Sequence, residues 1–439
     1  MQEPKGFEGR VKFVKAPQAE GSAGTAAIEA TVRAVIADVR SRGDSALRDY
    51  SRKFDGVVPD TLEVSDRDRD EAVAGLDPQT RRDTEFAIAQ VRRFAEAQHA
   101  CLKPLDIETL PGVHLGHRII PIAKVGAYVP GGRYPLLSAP IMTLVPAKVA
   151  GCAEVIACLP PTAHQAMIAG CVLSGADRIF KVGGAQAIAA MAFGTETVPA
   201  VDKVFGPGNA YVNEAKRQVF GPVGIDQLAG PSEIFVVADE TGDAEMIAVD
   251  LLAQAEHDVR TRVGLITTDA ALAHRTADVI DSFLDHLPTA EVARPAWEAF
   301  GMVALCASEA DMIAYSDHIA SEHLQVHTRD PKGTARKLSS YGSLFIGANA
   351  SVVYSDKCAG TNHTLPTLAA GRYTGGLWVG SYLKVCTHQW LDEGGVAKLA
   401  PPAIRQSASE GMEGHRRAAA WRLDRAAVRR AYTGQTAQS

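Results

Sequence analysis

The chain has 439 residues, 46% hydrophobic and 22% charged, which is enough for two or three cored domains and excludes a disordered or fibrous protein. Its formal net charge of -6, from 45 basic and 51 acidic residues, leaves no electrostatic footprint for nucleic acid. No apolar run reaches the length of a membrane span. Residues 1–24 lack the apolar centre of a signal peptide, and the seven scattered cysteines form no CxxC pair, so a cytoplasmic location with reduced thiols is expected.

Along residues 25–42 the apolar positions Ile28, Val32, Val35, Ile36 and Val39 recur at helical spacing, and Gly43 ends the run. Asp44 begins a second helix, and Asp77-Pro78 a third that buries Phe86, Ile88, Val91 and Phe94. The first hundred residues are therefore expected to be helical and to pack on the main body. From Leu115 the texture changes to short apolar runs divided by glycine. Strands are expected near residues 119–129, 155–159, 178–182 and 201–205, each followed by a helix, and a second such series starts at Glu233. Alternation on this scale predicts an α/β fold with two Rossmann-like parallel-sheet units. The turns at Gly131-Gly132, Gly183-Gly184 and Gly206-Pro207-Gly208 each follow a strand and precede a helix, a position that suits a phosphate or dinucleotide.

Four polar clusters fall in the second half. Gln254 and His257 stand three apart at the end of a helix that Asp243 should cap, so both leave one face, as half of a zinc site would require. Ser321-Glu322-His323 is a second polar cluster, residues 354–363 form a dense polar loop, and Glu410 and His415 follow near the end. Taken singly, each reads better as an ordinary polar face; together they need a shared explanation. Beyond Ser381 the chain is expected to be helical, rich in Ala and Arg.

The motifs Val125-Gly-Ala-Tyr-Val-Pro-Gly-Gly132, Gly206-Pro-Gly-Asn209, Ala229-Gly-Pro-Ser-Glu233, Leu252-Ala-Gln-Ala-Glu-His257, Ser321-Glu-His-Leu324 and Gly360-Thr-Asn-His-Thr-Leu-Pro-Thr367 occur in one order. On them the chain resembles the histidinol dehydrogenase family over residues 27–425. The resemblance implies a zinc enzyme that oxidises an alcohol to a carboxylate in two steps, reducing two NAD. Carried over, the zinc ligands are Gln254, His257, Asp356 and His415, and Glu322 and His323 are the catalytic pair. Tyr128, Gln186 and Asn209 fall where the family touches NAD. Substrate falls to Ser232, His363 and Glu410 together with His323 and the four ligands. Glu410 and His415 would come from the partner subunit, which implies a homodimer without nucleic-acid or membrane partners. The chemistry agrees, since a histidine accepts an alcohol proton near neutral pH and a carboxylate activates water for the aldehyde step.

The chain departs from the biosynthetic pattern at Pro130-Gly-Gly-Arg-Tyr-Pro-Leu-Leu-Ser138, where Arg133 adds a cation, and around Lys357. Catalytic positions kept while flanking ones change resemble the branch that oxidises 2,3-dihydroxypropane-1-sulfonate (sulfopropanediol) to 3-sulfolactate, with Arg133 as first choice for the sulfonate. Histidinol itself is the alternative, and a zinc-binding protein without catalysis is another. The expected division is 1–114 helical, 115–228 NAD-binding, 229–375 with zinc and catalytic residues, and 376–439 a dimerisation extension.

Overall fold

The computed structural model describes residues 3–18, 26–131 and 136–433. They form two compact units, one from residues 1–99 and 122–382 and the other from 100–121 and 383–439. Arg133 lies outside the described residues.

Along the chain, β1 (Val11–Lys15) belongs to the first unit, β2 (Leu105–Leu110) and β3 (Val113–Pro121) to the second, and β4 (Lys124–Tyr128) to the first again. With β5 (Glu154–Leu159), β6 (Arg178–Lys181), β7 (Lys203–Phe205) and β8 (Gly224–Ile225), β4 makes a parallel sheet ordered β6-β5-β4-β7-β8. A second sheet takes β9 (Glu233–Ala238), β10 (Arg262–Thr267), β11 (Met302–Cys306), β12 (His323–His327) and β13 (Ser343–Ile346). Its order is β1-β11-β10-β9-β12-β13, parallel except where β1 pairs with β11. β14 (Leu383–Leu391) forms an antiparallel sheet with β3 and β2 in the second unit.

The central strands are parallel because both their faces are apolar and covered. All six residues of β9 are buried, and in β5 every residue after Glu154 is. On the first sheet Ile156, Phe180 and Val204 pack with Val32, Val35 and Val39 of helix Ala26–Arg42. On the second, Ile234 and Val236 meet Ile247 and Leu251 of helix Ala244–Ala255, while Phe235 and Val237 share the opposite face with Leu324 and Val326. In each sheet the winding reverses beside the first strand, between β4 and β7 and between β9 and β12.

The expected α/β class with parallel sheets is observed. Several local expectations are corrected. In helix Pro78–Ala100, Ile88 and Val91 are buried as expected, whereas Phe86 and Phe94 are exposed, and residues 105–110 of the expected helical stretch are the strand β2. Residues 11–15 are a strand: the run Val-Lys-Phe-Val-Lys is too short to signal by itself, and the open edge of β11 recruits it and fully buries Val11. Residues 383–391 are also a strand, largely exposed, so no buried alternation marks it; Trp390 stacks on His114 with ring centroids 3.8 Å apart. Helices Glu393–Ser409 and Glu413–Trp421 follow, as expected for the end of the chain.

Candidate functional site

Three of the sequence-selected residues gather beyond the carboxyl ends of β4, β6 and β7. Tyr128 ends β4, and its phenol oxygen accepts the Gly184 N–H at 3.2 Å. Burial pushes this phenol up to about 12, so it stays an O–H. Gln186 is buried in the first turn of helix Gly184–Phe193. Asn209 caps helix Ala210–Val219, its side-chain oxygen accepting from Tyr211 N at 3.0 Å and Val212 N at 3.1 Å. The preceding turn needs glycine: Gly206 has φ 113°, and a Cβ there would run into the Tyr128 carbonyl.

A buried pair that sequence reading missed holds this turn. Lys216 and Asp226 form an ion pair with essentially no exposure. Lys216 Nζ donates to the Gly206 carbonyl at 3.0 Å and to Gln227 O at 2.6 Å, while Asp226 Oδ2 accepts from Gly206 N at 2.7 Å. A signal existed. Lys216 sits on the buried stripe of its helix, with Val212, Ala215 and Val219, where a cation requires a partner.

A second group gathers at the amino ends of β9 and β12. Glu233 opens β9, and Glu322 and His323 enter β12 beside it. Glu233 N donates to Glu322 Oε2 at 2.8 Å, and Glu322 N reaches back to Glu233 Oε2 at 3.4 Å. Arg262 holds the other Glu233 oxygen at 2.7 Å. Burial, with the Glu233 and Asp356 carboxylates adding to it, raises the Glu322 carboxyl well above its ordinary value. His323 Nδ1 lies 2.9 Å from the Glu233 carbonyl, which can only accept, so Nδ1 carries the proton. Its Nε2 is then the basic nitrogen, buried and without a protein partner. Burial lowers this imidazole's pKa and keeps it neutral near neutral pH. Glu233 and Arg262 were not singled out from sequence; a glutamate opening an apolar run looks like a solvated strand end.

Helix Ala244–Ala255 runs back along the second sheet, so its last turn arrives at the same edge. There Gln254 Nε2 is 3.4 Å from His257 Nδ1. Asp356, on helix Val352–Lys357, stands 3.7 Å from His363 Nδ1, whose ring also meets the Asp356 carbonyl at 3.3 Å. Burial lowers the His363 pKa against the pull of Asp356. Asp356 and His257 act electrostatically on both His323 and His363, which puts the four in one cluster. Ser232 is half-buried just before β9, its carbonyl accepting from Arg262 N at 3.0 Å. Glu410 and His415 are exposed in the second unit.

An amide oxygen, an imidazole and a carboxylate are donors of the kind that suits zinc, so Gln254, His257 and Asp356 fit such an ion. They do not complete its shell: among the described residues no group of three or more His, Cys, Asp or Glu is placed to hold a metal ion. Lys357 is exposed beside Asp356 and is felt by His363, whereas the exposed Arg372 donates to the His318 carbonyl. A cavity of about 560 Å3 is lined by Lys203, Asp226, Thr361, Asn362 and Trp378 among others, but by none of the expected catalytic or ligand side chains, so the chemistry is not placed there.

A family model described as histidinol dehydrogenase matches residues 18–423. The chain is 49% identical to "Histidinol dehydrogenase homolog 1" of Mesorhizobium japonicum over 89% of this chain and 79% of that one. It is 41% identical to "Sulfopropanediol 3-dehydrogenase" of Ruegeria pomeroyi over 94% and 96%. The crystal structure of histidinol dehydrogenase from Elizabethkingia anophelis superimposes with a TM-score of 0.88 at 33% identity, covering 93% of this chain and 94% of that one.

Proposed function

The chain belongs to the histidinol dehydrogenase family of NAD-dependent oxidoreductases, and from that premise we propose that it oxidises sulfopropanediol to 3-sulfolactate, using zinc and reducing two NAD. The observation that carries the chemistry is His323. Its proton is fixed on Nδ1, which leaves Nε2 as a buried, unpaired base for a substrate hydroxyl.

In this reading Tyr128, Gln186 and Asn209 seat NAD, which when bound accepts the hydride. Gln254, His257 and Asp356 hold zinc together with His415 from a second copy of the chain, Glu410 reaching substrate from the same copy. When bound, zinc supplies a Lewis acid that polarises and fixes substrate oxygens. His323 takes the hydroxyl proton in the alcohol step. Glu322, its carboxyl raised well above its ordinary value by burial, then activates the water that attacks the aldehyde. Ser232 and His363 line the substrate. Lys357, an exposed cation beside Asp356, is the described residue available to a sulfonate, and Arg133 is the further choice.

The sulfonate reading is supported by the Ruegeria relative and by the cations that depart from the biosynthetic pattern. Histidinol is the second reading, favoured by the superposition on a histidinol dehydrogenase. Purified protein with zinc and NAD, offered sulfopropanediol and histidinol in parallel, decides between them by NADH formation. Turnover of the sulfonate diol with kcat/KM well above that for histidinol is expected. The reverse preference rejects the sulfonate.

A further inference from the structure

β12 carries more polar side chains than catalysis at its amino end requires. His323, Gln325 and His327 alternate along the strand and so share one face, opposite Ile234, Val236 and Ala238 of β9. Helix Ala244–Ala255 covers that face. All three side chains are buried, with exposures of 3%, 0% and 5%. Yet His323 Nε2, both amide atoms of Gln325 and both ring nitrogens of His327 have no protein partner. Five such atoms in one row are costly in a dry core, and internal water is the usual way buried polar groups in a row are satisfied.

The covering helix has a matching polar side. Asp243, Asp250 and Gln254 follow one another at helical spacing along it. Asp250 is half-buried, accepts from Ser351 Oγ at 2.8 Å, and acts with Asp243 on His327. The row therefore starts at the catalytic base and ends, at the far edge of the sheet, beside a carboxylate that reaches solvent.

We propose that this seam is the proton exit of the enzyme, running from His323 Nε2 through water held by Gln325 to His327 and out at Asp250. It rests on the reading of His323 as the base. The need for an exit follows from the stoichiometry. The alcohol and NAD yield an aldehyde, NADH and one proton; the hydrated aldehyde and a second NAD yield a carboxylate, NADH and two protons. His323 cannot relay through its other nitrogen, because Nδ1–H is held by the Glu233 carbonyl. A proton received on Nε2 must leave from Nε2, while substrate stands in front of it. Gln325 orients water without being charged, and His327, kept neutral by burial, can take a proton on one nitrogen and release it from the other.

The test follows NADH by absorbance and released protons by an indicator dye in weak buffer, in stopped flow, with the zinc-loaded enzyme, NAD and sulfopropanediol or histidinol, whichever is oxidised. In the parent protein the two signals rise together. In Gln325→Leu, which removes both polar atoms, and in His327→Ala, proton release should lag NADH. Steady-state turnover should fall at least about tenfold, as for loss of a proton-transfer group, the solvent isotope effect on kcat should grow, and imidazole should restore turnover of His327→Ala. Unchanged proton kinetics in both folded variants overturn the route. A fall in NADH formation with no change in isotope effect and no rescue assigns the seam a structural role and overturns it as well. His323→Gln is the control for the underlying reading: if it stays active, His323 is not the base; if it is inactive while the seam variants are unaffected, only the route fails. A high-resolution crystal structure gives a readout free of substrate. Ordered waters linking His323, Gln325 and His327 are expected, and a dry seam rejects the proposal.

Discussion

In the sheet β6-β5-β4-β7-β8 the selected polar residues stand beyond the carboxyl ends of the strands, where helices begin. In the sheet that contains β9 and β12 they stand at the amino ends, where helix Ala244–Ala255 finishes with Gln254 and His257 close by. The two edges differ in charge as well as position. A helix N-terminus offers unpaired N–H groups and a positive field, which suits the phosphates of a dinucleotide. A helix C-terminus offers carbonyls and a negative field, which suits a cation such as zinc. On the proposed reading, one winding plan used from opposite edges separates the seat of the cofactor from the acid–base residues.

That separation can be broken most severely at the ligand edge. Asp356→Ala and His257→Ala should bring zinc content, measured by atomic emission, down to background and abolish turnover, while circular dichroism stays near the parent's because the core is far larger than the site. Full zinc occupancy in either variant would remove that residue from the ligand set. Next in size is His323→Gln, for which kcat should fall by roughly 10²–10⁴-fold while NAD affinity, read by fluorescence titration, is unchanged. Joint loss of both would mean the two edges are not separable.

The cofactor edge should respond differently. Gly206→Ala forces a side chain into a left-handed turn against the Tyr128 carbonyl, costing roughly 1–3 kcal/mol. Denaturant unfolding should register that loss, and KM for NAD should rise more than KM for the alcohol. A variant with equal changes in both would show that the turn serves the fold alone.

The smallest effect concerns pH. Burial holds His327 below its ordinary 6.5, against the pull of Asp250 and Asp243. The unfolded chain therefore binds this proton first. The stability due to a neutral His327 is complete above that value and declines as pH falls through it, with a slope of at most about 1.4 kcal/mol per pH unit. Melting curves taken from neutral to mildly acidic pH should show the decline, and His327→Phe should flatten it. An unchanged slope in that variant would show that His327 is already charged in the folded protein.

Much of this was legible along the chain. The alternation of apolar runs with amphipathic helices set the α/β class, because strand and helix periodicities are local properties. Asn209 after a glycine turn announced a helix start, and Gln254 with His257 announced a shared face, since capping and the three-residue spacing need only neighbours in sequence. The order of several short motifs identified the family.

Other features had no local signal. Glu233 and Arg262 looked like solvated charges until pairing of β9 with β10 and β12 closed them in. Lys216 and Asp226 are ten residues apart and meet only because helix Ala210–Val219 folds back beside β7. The stretch His-Leu-Gln-Val-His of β12 was not singled out as a strand, and its polar residues are buried along with its apolar ones. Residues 11–15 became a strand only when β11 left an edge open. The sequence by itself determined the periodic elements, their caps and the family. Which edge of each sheet is used, and which polar groups are sealed away from water, was decided by pairings between distant strands, whose register no local pattern specifies.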